Sequence, residues 1–290
     1  MKSYSGEVKG DIAMKTPIDI TEMFANANMR RRLYSEIGKK APEPIYDCDV
    51  RSIRLLDVSY CEIETLAGIE YFTALTRLCC SNNNLTSLDV SKNLSLTELF
   101  CSENNLKTLD TSKNTALTRL YCYKNRLTEL DMSNNPALTQ LVCHRNELTA
   151  LNISKNPAIT QLYCTYNKFT ALDISNNPAL SLFNCSFNKL TALDVSNNPA
   201  LLELHCDNNK LTALDVSKNF ALDELDCYKN ELTALDTSKN FALRHLDCHN
   251  NRLITLDVSN NYVLDGNLKS YNNPFIKLPQ QQFDSIGRIA

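Results

Sequence analysis

From Leu75 to Val263 the apolar residues return at the same offsets in nine successive units of 21 residues. Counted from the first leucine, positions 1, 4, 6, 11, 14, 16 and 21 are apolar if Cys is included, with Ser95, Thr111 and Thr237 as exceptions. Leu at 4 and Cys at 6 alternate with variable residues at 3, 5 and 7, which predicts a short half-buried strand. One such unit cannot bury its apolar side alone, so successive units must stack. Their strands then form a parallel sheet with a spacing of ~4.8 Å, in a rod or shallow arc roughly 50 Å long.

The polar positions are as regular. Position 9 is Asn in every unit, from Asn83 to Asn251, and position 19 is Asn from Asn93 to Asn261. Position 15 is Asp except at Asn152, and position 17 is always Ser. Asn at 9 is expected to turn the chain out of the strand and to bond backbone groups of its own and neighbouring coils. The return segment Leu-Asp-x-Ser-x-Asn is too short for a helix and is expected to run as extended or 3₁₀ pieces, with Asp and Ser bonding local backbone.

The flanks read as caps. Residues 1–17 are a polar lead-in. In 18–52, Ile20, Met23 and Phe24 form one apolar turn, and Met29, Leu33 and Ile37 recur at helical spacing before Gly38. A solenoid needs such a helical cap, because its first coil otherwise exposes a slice of core. A degenerate first unit starts at Ile53, where Ile53, Leu56, Val58, Cys61, Ile63 and Leu66 follow the leucine-rich pattern L-x-x-L-x-L-x-x-N/C-x-L. The array is read as 53–279, about 11 coils of 21 or 22 residues, with one residue inserted near Leu264–Leu268. Residues 280–290, with Phe283 and Ile286, are read as a C-terminal cap.

Three stretches carry a family resemblance: Leu66-Ala-Gly-Ile-Glu-Tyr-Phe-Thr-Ala-Leu75, Ile20-Thr-Glu-Met-Phe-Ala-Asn-Ala-Asn28, and the repeating Leu-Thr-x-Leu-Asp-Val-Ser-x-Asn. Over about residues 18–280 the chain resembles the internalin class of bacterial leucine-rich repeat proteins. The 21-residue period and Cys in place of Leu at position 6 resemble a cysteine-ladder subset of that class. The resemblance implies a leucine-rich repeat solenoid, a right-handed α/β-type superhelix with a parallel sheet on its concave face. It also implies extended recognition of a protein, often a host surface protein, and no catalysis.

Composition narrows the picture further. The net charge is −3, which gives no global attraction for nucleic acid or an anionic membrane. Arg30-Arg31-Arg32 with Lys39-Lys40 reads as a solvated helix face. No apolar run approaches the ~20 residues that span a bilayer. As written, the chain is expected in the cytoplasm; a signal peptide ahead of Met1 would shift it to secretion or the cell surface. A monomer is expected. Of the 12 cysteines, nine (Cys80 to Cys248) fall on position 6. They read as buried small hydrophobes, because side chains on parallel strands point the same way, which opposes bridging, and one thiol per coil forms a line rather than a tetrahedron. Cys79, at position 5, lies on the open face as a potentially reactive thiol, and Cys48 is unplaced.

The framework does not dictate positions 3, 5, 7 and 8, so their variation is where function is sought. The candidate ligand-binding residues are Phe100, Tyr121, Tyr123, Val142, His144, Tyr163, Tyr166, Phe187, His205, Asp226, Tyr228, Asp247 and His249. Aromatics gather on the first two-thirds of this face, in the manner of a binding hot spot; the alternative is that they only stack on neighbouring strands. On the last third, His205, Asp207, Asp226, His245, Asp247 and His249 are residue types that suit a divalent metal. They are read here as a solvated polar patch for a basic partner. No catalytic residue, cofactor or metal site is assigned, since no nucleophile–base set and no phosphate loop occurs. The sequence thus points to a non-catalytic module that binds a protein or peptide on its concave face, and the resemblance implies host interaction or adhesion as its setting. A structural or assembly role, and metal-dependent activity at the His/Asp patch, are the alternatives.

Overall fold

The computed structural model describes residues 16–264 and 266–274. The expected C-terminal cap and most of the lead-in lie outside these residues. The strands run β1 Leu55–Asp57, β2 Arg77–Cys79, β3 Glu98–Phe100, β4 Arg119–Tyr121, β5 Glu129–Asp131, β6 Gln140–Val142, β7 Ala150–Asn152, β8 Gln161–Tyr163, β9 Leu182–Asn184, β10 Glu203–His205, β11 Glu224–Asp226, β12 His245–Asp247 and β13 Leu268–Lys269. Eleven of them form one parallel sheet, and β5 and β7 form a small second sheet on the return side. Each main-sheet strand is positions 3 to 5 of its coil, paired in register with the same positions of the next. Leu246 pairs with Leu268, a step of 22 residues, so the inserted residue is absorbed before β13.

The leucines at positions 1, 4 and 11 are buried, and so are all nine cysteines of position 6. Cys is free in every case. Burial pushes the thiols far from ionisation, to about 12 for Cys101, Cys143 and Cys248. The column is therefore packing, not chemistry.

Two asparagine ladders close the backbone account. In the first, at position 9, Asn146 Nδ2 donates to the carbonyls of Cys122 in the preceding coil (3.0 Å) and Cys143 in its own (3.1 Å). Its Oδ1 accepts from Leu127 N at 3.0 Å. The same set repeats down the array and ends at Asn273, which bonds Cys248 O and Leu253 N. In the second ladder, at position 19, the side chain is fully inside. Asn177 Nδ2 donates to Ile153 O (3.1 Å) and Asn156 O (2.9 Å) of the preceding coil.

That second ladder explains two of the sequence exceptions. Most position-19 asparagines have a buried Oδ1 without a partner, Asn114, Asn156 and Asn240 among them. Where position 16 is Thr instead of an aliphatic residue, its hydroxyl supplies the partner one coil on. Thr111 Oγ1 donates to Asn135 Oδ1 (3.0 Å), and Thr237 Oγ1 to Asn261 Oδ1 (2.8 Å).

The return segment is extended and tightly turned rather than 3₁₀; among the described residues only the first coil carries a 3₁₀ turn there, Ile69–Tyr71. Asp at 15 folds back on Ser at 17, as in Asp194 Oδ1 accepting from Ser196 N (2.9 Å). A further ladder runs at position 2, where Thr118 and Thr139 each donate to the threonine carbonyl of the preceding coil at 3.0 Å.

The N-terminal cap contains a 3₁₀ turn Thr21–Met23 and helices α1 Ala27–Ile37 and α2 Asp47–Val50. Asn26 caps α1 by accepting from Asn28 N and Met29 N, and Gly38 ends it in the left-handed region at φ 68°. Met23 is exposed, while Ile20 and Phe24 are buried. Phe24 meets Phe72 of the first coil edge to face, with centroids 6.2 Å apart. Gly68 is needed at this junction on two counts. Its φ is +92°, and a Cβ there would sit 2.7 Å from the Phe24 ring.

Thr111→Val, which leaves Asn135 Oδ1 unpaired, is expected to cost about 1–3 kcal/mol in urea unfolding, whereas Val216→Thr supplies Asn240 and is expected to stabilise. The position-15 carboxyls, Asp194 and Asp215 included, are held below their usual pKa by hydrogen bonds from the following Ser. Their contribution is present above the unfolded value of 3.8 and is lost as pH falls through the lowered folded value. Urea midpoints between about pH 5 and about pH 2 should therefore fall less when several of these Asp are replaced by Asn, which keeps the acceptor. A thiol reagent should modify only the half-buried Cys48 and Cys79 in the native chain, and all 12 cysteines after unfolding without reductant.

Candidate ligand-binding face

Because position 4 points into the core, positions 3 and 5 of each strand point out on the sheet's open side. The chain then leaves the strand through position 8, which lies in the left-handed region in every coil, at φ 51° to 56° from Asn82 to Asn272. Asn tolerates that conformation, and Asn82, Asn208, Asn250 and Asn272 occupy it. Tyr166 (φ 51°) and Phe187 (φ 54°) are bulky residues in the same place.

The candidate aromatics assemble into columns between coils. At position 5, Phe100 and Tyr121 meet edge to face at 4.9 Å, with the Arg77 guanidinium 5.5 Å above the Phe100 ring. Val142 lies between Tyr121 and Tyr163 in the sheet register and is only 9% exposed, screened by its larger neighbours. At position 7, Tyr123 stacks on His144 at 4.5 Å. At position 8, Tyr166 and Phe187 stack at 4.2 Å and 9°, with Arg145 5.2 Å above Tyr166. Tyr166 is 45% exposed, and Tyr121, Tyr123, Tyr163 and Phe187 are half-buried. Burial is the main cause that lowers the His144 pKa and raises that of Tyr163. His144 is therefore a neutral ring at neutral pH.

The acidic third of the face divides into two groups. In one, His249 is sandwiched between Tyr228 (4.6 Å) and Tyr271 (4.4 Å), and its Nδ1 contacts Asp247. Asp247 also meets Lys269 Nζ at 3.3 Å. Asp247 and His249 are 4% and 9% exposed, so with Val142 they are the three candidates withdrawn from solvent. Asp207 is buried as well, held by Ser186 Oγ and by Asn208 Nδ2 at 2.8 Å.

In the other group, Asp226 sits between two imidazoles, with Oδ2 2.9 Å from His205 Nδ1 and Oδ1 3.1 Å from His245 Nε2. Burial opposes the charge on His205, but the Asp226 hydrogen bond and the charges of Asp226, Glu224 and Glu203 outweigh it and raise its pKa. Burial likewise opposes the Asp226 carboxylate, and contact with His205 and His245 outweighs it and lowers its pKa.

Position 3 forms a further column on the open side of the sheet. Down that column the chain places Arg77, Glu98 and Arg119, which pair with one another, then Gln140 and Gln161, whose amides bond at 2.6 Å. It then places Glu203, Glu224 and His245. The column is visible in the sequence once residues 21 apart are compared. Cys79, placed on the open face by its position, is half-buried, and burial and Asp57 raise its pKa, so it is not an activated thiol.

A solved functional domain of InlJ from Listeria monocytogenes, which includes a cysteine ladder, superposes with a TM-score of 0.84 at 36% identity. The match covers 91% of this chain. This chain is an internalin-like leucine-rich repeat protein of the cysteine-ladder type. It spans 64% of the InlJ chain it matches. An internalin, InlF, from Listeria monocytogenes shares the fold at 21% identity and a TM-score of 0.72, over 90% of this chain and 86% of its own. YopM, a leucine-rich effector protein from Yersinia pestis, does so at 23% identity and 0.68, over 86% and 67%. No enzyme family is indicated among these likenesses. No protein-family model matches the chain. No curated protein matches it either. Along the main sheet, the aromatics belong to the coils of β3, β4, β8 and β9, and the carboxylates with imidazoles to those of β10, β11 and β12.

Proposed function

We propose that this internalin-like chain is a non-catalytic recognition module that binds a protein or peptide ligand along its open sheet face, in the setting of adhesion or host interaction. One observation carries the reading. Tyr166 and Phe187 hold bulky rings in a left-handed backbone conformation that costs roughly 1–2 kcal/mol per residue and that the other coils of the regular array fill with Asn, Glu, Lys or Arg. Their stack lies on the surface and fills no core, so stability gives little return for the strain. Beside it, Tyr121, Tyr163 and the Tyr123–His144 stack extend a rigid aromatic surface with polar groups at its edge, the composition of an interface hot spot. The Arg77–Glu98–Arg119 chain at the same end supplies that polar edge.

The test is selection of binders from a displayed peptide library on the immobilised chain, followed by affinity measurement against the Tyr121→Ser/Tyr163→Ser/Phe187→Ser variant. Binding is expected to weaken by about thirtyfold or more, a loss of ~2 kcal/mol, with the urea midpoint nearly unchanged. Equal affinity for wild type and a folded variant would place the binding surface elsewhere.

A further inference from the structure

We propose that Glu203, His205 and Glu224 form a site for one divalent transition-metal ion of the zinc class on the open face of β10 and β11. Asp226 and His245 support it from β11 and β12. One ligand atom from each of Glu203, His205 and Glu224 lies within 4.8 Å of the other two. In a tetrahedral zinc sphere, with bonds of about 2.0–2.1 Å, neighbouring ligand atoms are about 3.3 Å apart. Small rotations of two half-exposed glutamates span that difference, and the three-residue strands in register hold their backbones fixed.

The charge arrangement is the first argument. Elsewhere, position 3 alternates sign, pairs amides or is apolar: Glu98 lies between Arg77 and Arg119, Gln140 bonds Gln161, and Leu182 precedes Glu203. At Glu203 and Glu224 the column instead sets two carboxylates side by side, with the Asp226 carboxylate next to them. Among the described residues, none of the three has an ion pair with Lys or Arg. Like charges directly opposite on paired strands are destabilising, and a bound cation removes that cost.

The second argument is the orientation of His205. Its Nδ1 is engaged by Asp226 Oδ2 at 2.9 Å, which leaves Nε2 on the side of Glu203, 3.8 Å from Glu203 Oε2. A carboxylate on one ring nitrogen with the other turned toward further ligands is the arrangement that orients a metal-binding imidazole. His245 fixes the other oxygen of Asp226 at 3.1 Å, so Asp226 is a positioning residue and not a ligand. One nitrogen and two carboxylate oxygens suit a borderline divalent ion better than calcium or magnesium, which prefer oxygen alone. Three protein ligands leave a coordination position for water or for a side chain of a bound partner.

The experiment is titration calorimetry of the full chain, stripped with chelator, against zinc chloride, with magnesium chloride as the oxygen-preferring control. One zinc ion per chain is expected, with no saturable heat from magnesium. Glu224→Gln and Glu203→Gln should each remove the saturable heat, and Asp226→Asn should weaken it about 10–100-fold through misorientation of His205. Unchanged urea midpoints would show that the variants are folded. Titration with cobalt separates this site from the cysteines, since nitrogen and oxygen ligation gives visible ligand-field bands without the near-ultraviolet thiolate band. The bands should persist in a Cys48→Ser/Cys79→Ser background. No saturable zinc heat, an unaltered isotherm in Glu224→Gln, or a thiolate band that disappears with the two cysteines would each overturn the proposal.

Discussion

Everything in this structure depends on how a coil with almost no regular secondary structure satisfies its buried backbone. Three-residue strands pair only a few peptide groups per coil, and unpaired buried groups cost as much as lost hydrogen bonds. Two columns of asparagine make up the deficit. The position-9 amide uses both its donor and its acceptor between adjacent coils, as Asn146 does with Cys122, Cys143 and Leu127. The position-19 amide spends its donors on the preceding coil and leaves its oxygen unmatched unless a threonine stands beneath it, as Thr111 does for Asn135. No coil can complete this account alone. The array is therefore cooperative between neighbours, and its interior tolerates little change.

The open face is under the opposite condition. The side chains at positions 3, 5, 7 and 8 take part in no backbone ladder, so the chain varies them from coil to coil, and the variation is ordered into columns because the coils stack without slip. The column form also sets the chemistry. A side chain meets its equivalents 21 residues away rather than its sequence neighbours, so stacks, ion-pair chains and carboxylate clusters arise between coils. The aromatic stretch and the acidic stretch are two surfaces on one sheet, separated by the Leu182–Asn184 strand.

Much of this architecture was legible in the chain. Period, strand positions, the parallel sheet, the buried cysteine column and the asparagine contacts all follow from the spacing of Leu, Cys and Asn, since a 21-residue repeat allows few stacking solutions. The helical cap showed in Met29, Leu33 and Gly38, although the apolar turn around Phe24 proved to be a separate 3₁₀ turn, because Asn26 begins α1 anew. The candidate surface was legible in residue type and general location only. Exposure was not: Val142, Asp247 and His249 stand at outward positions yet are covered by neighbouring tyrosines or held in ion pairs.

By itself, then, the sequence determined the solenoid and the set of positions free to face a partner, because periodicity and hydrogen-bonding capacity are properties of residue type and spacing. Only the tertiary structure decided which of those residues touch. Tyr166 and Phe187 are 21 residues apart and become one stack, and His205 and His245 are 40 residues apart and share one carboxylate. The physical reason is that rotamers, the left-handed turn at position 8 and the covering of a small side chain by larger neighbours are set by three adjacent coils at once, and no single coil's sequence contains them.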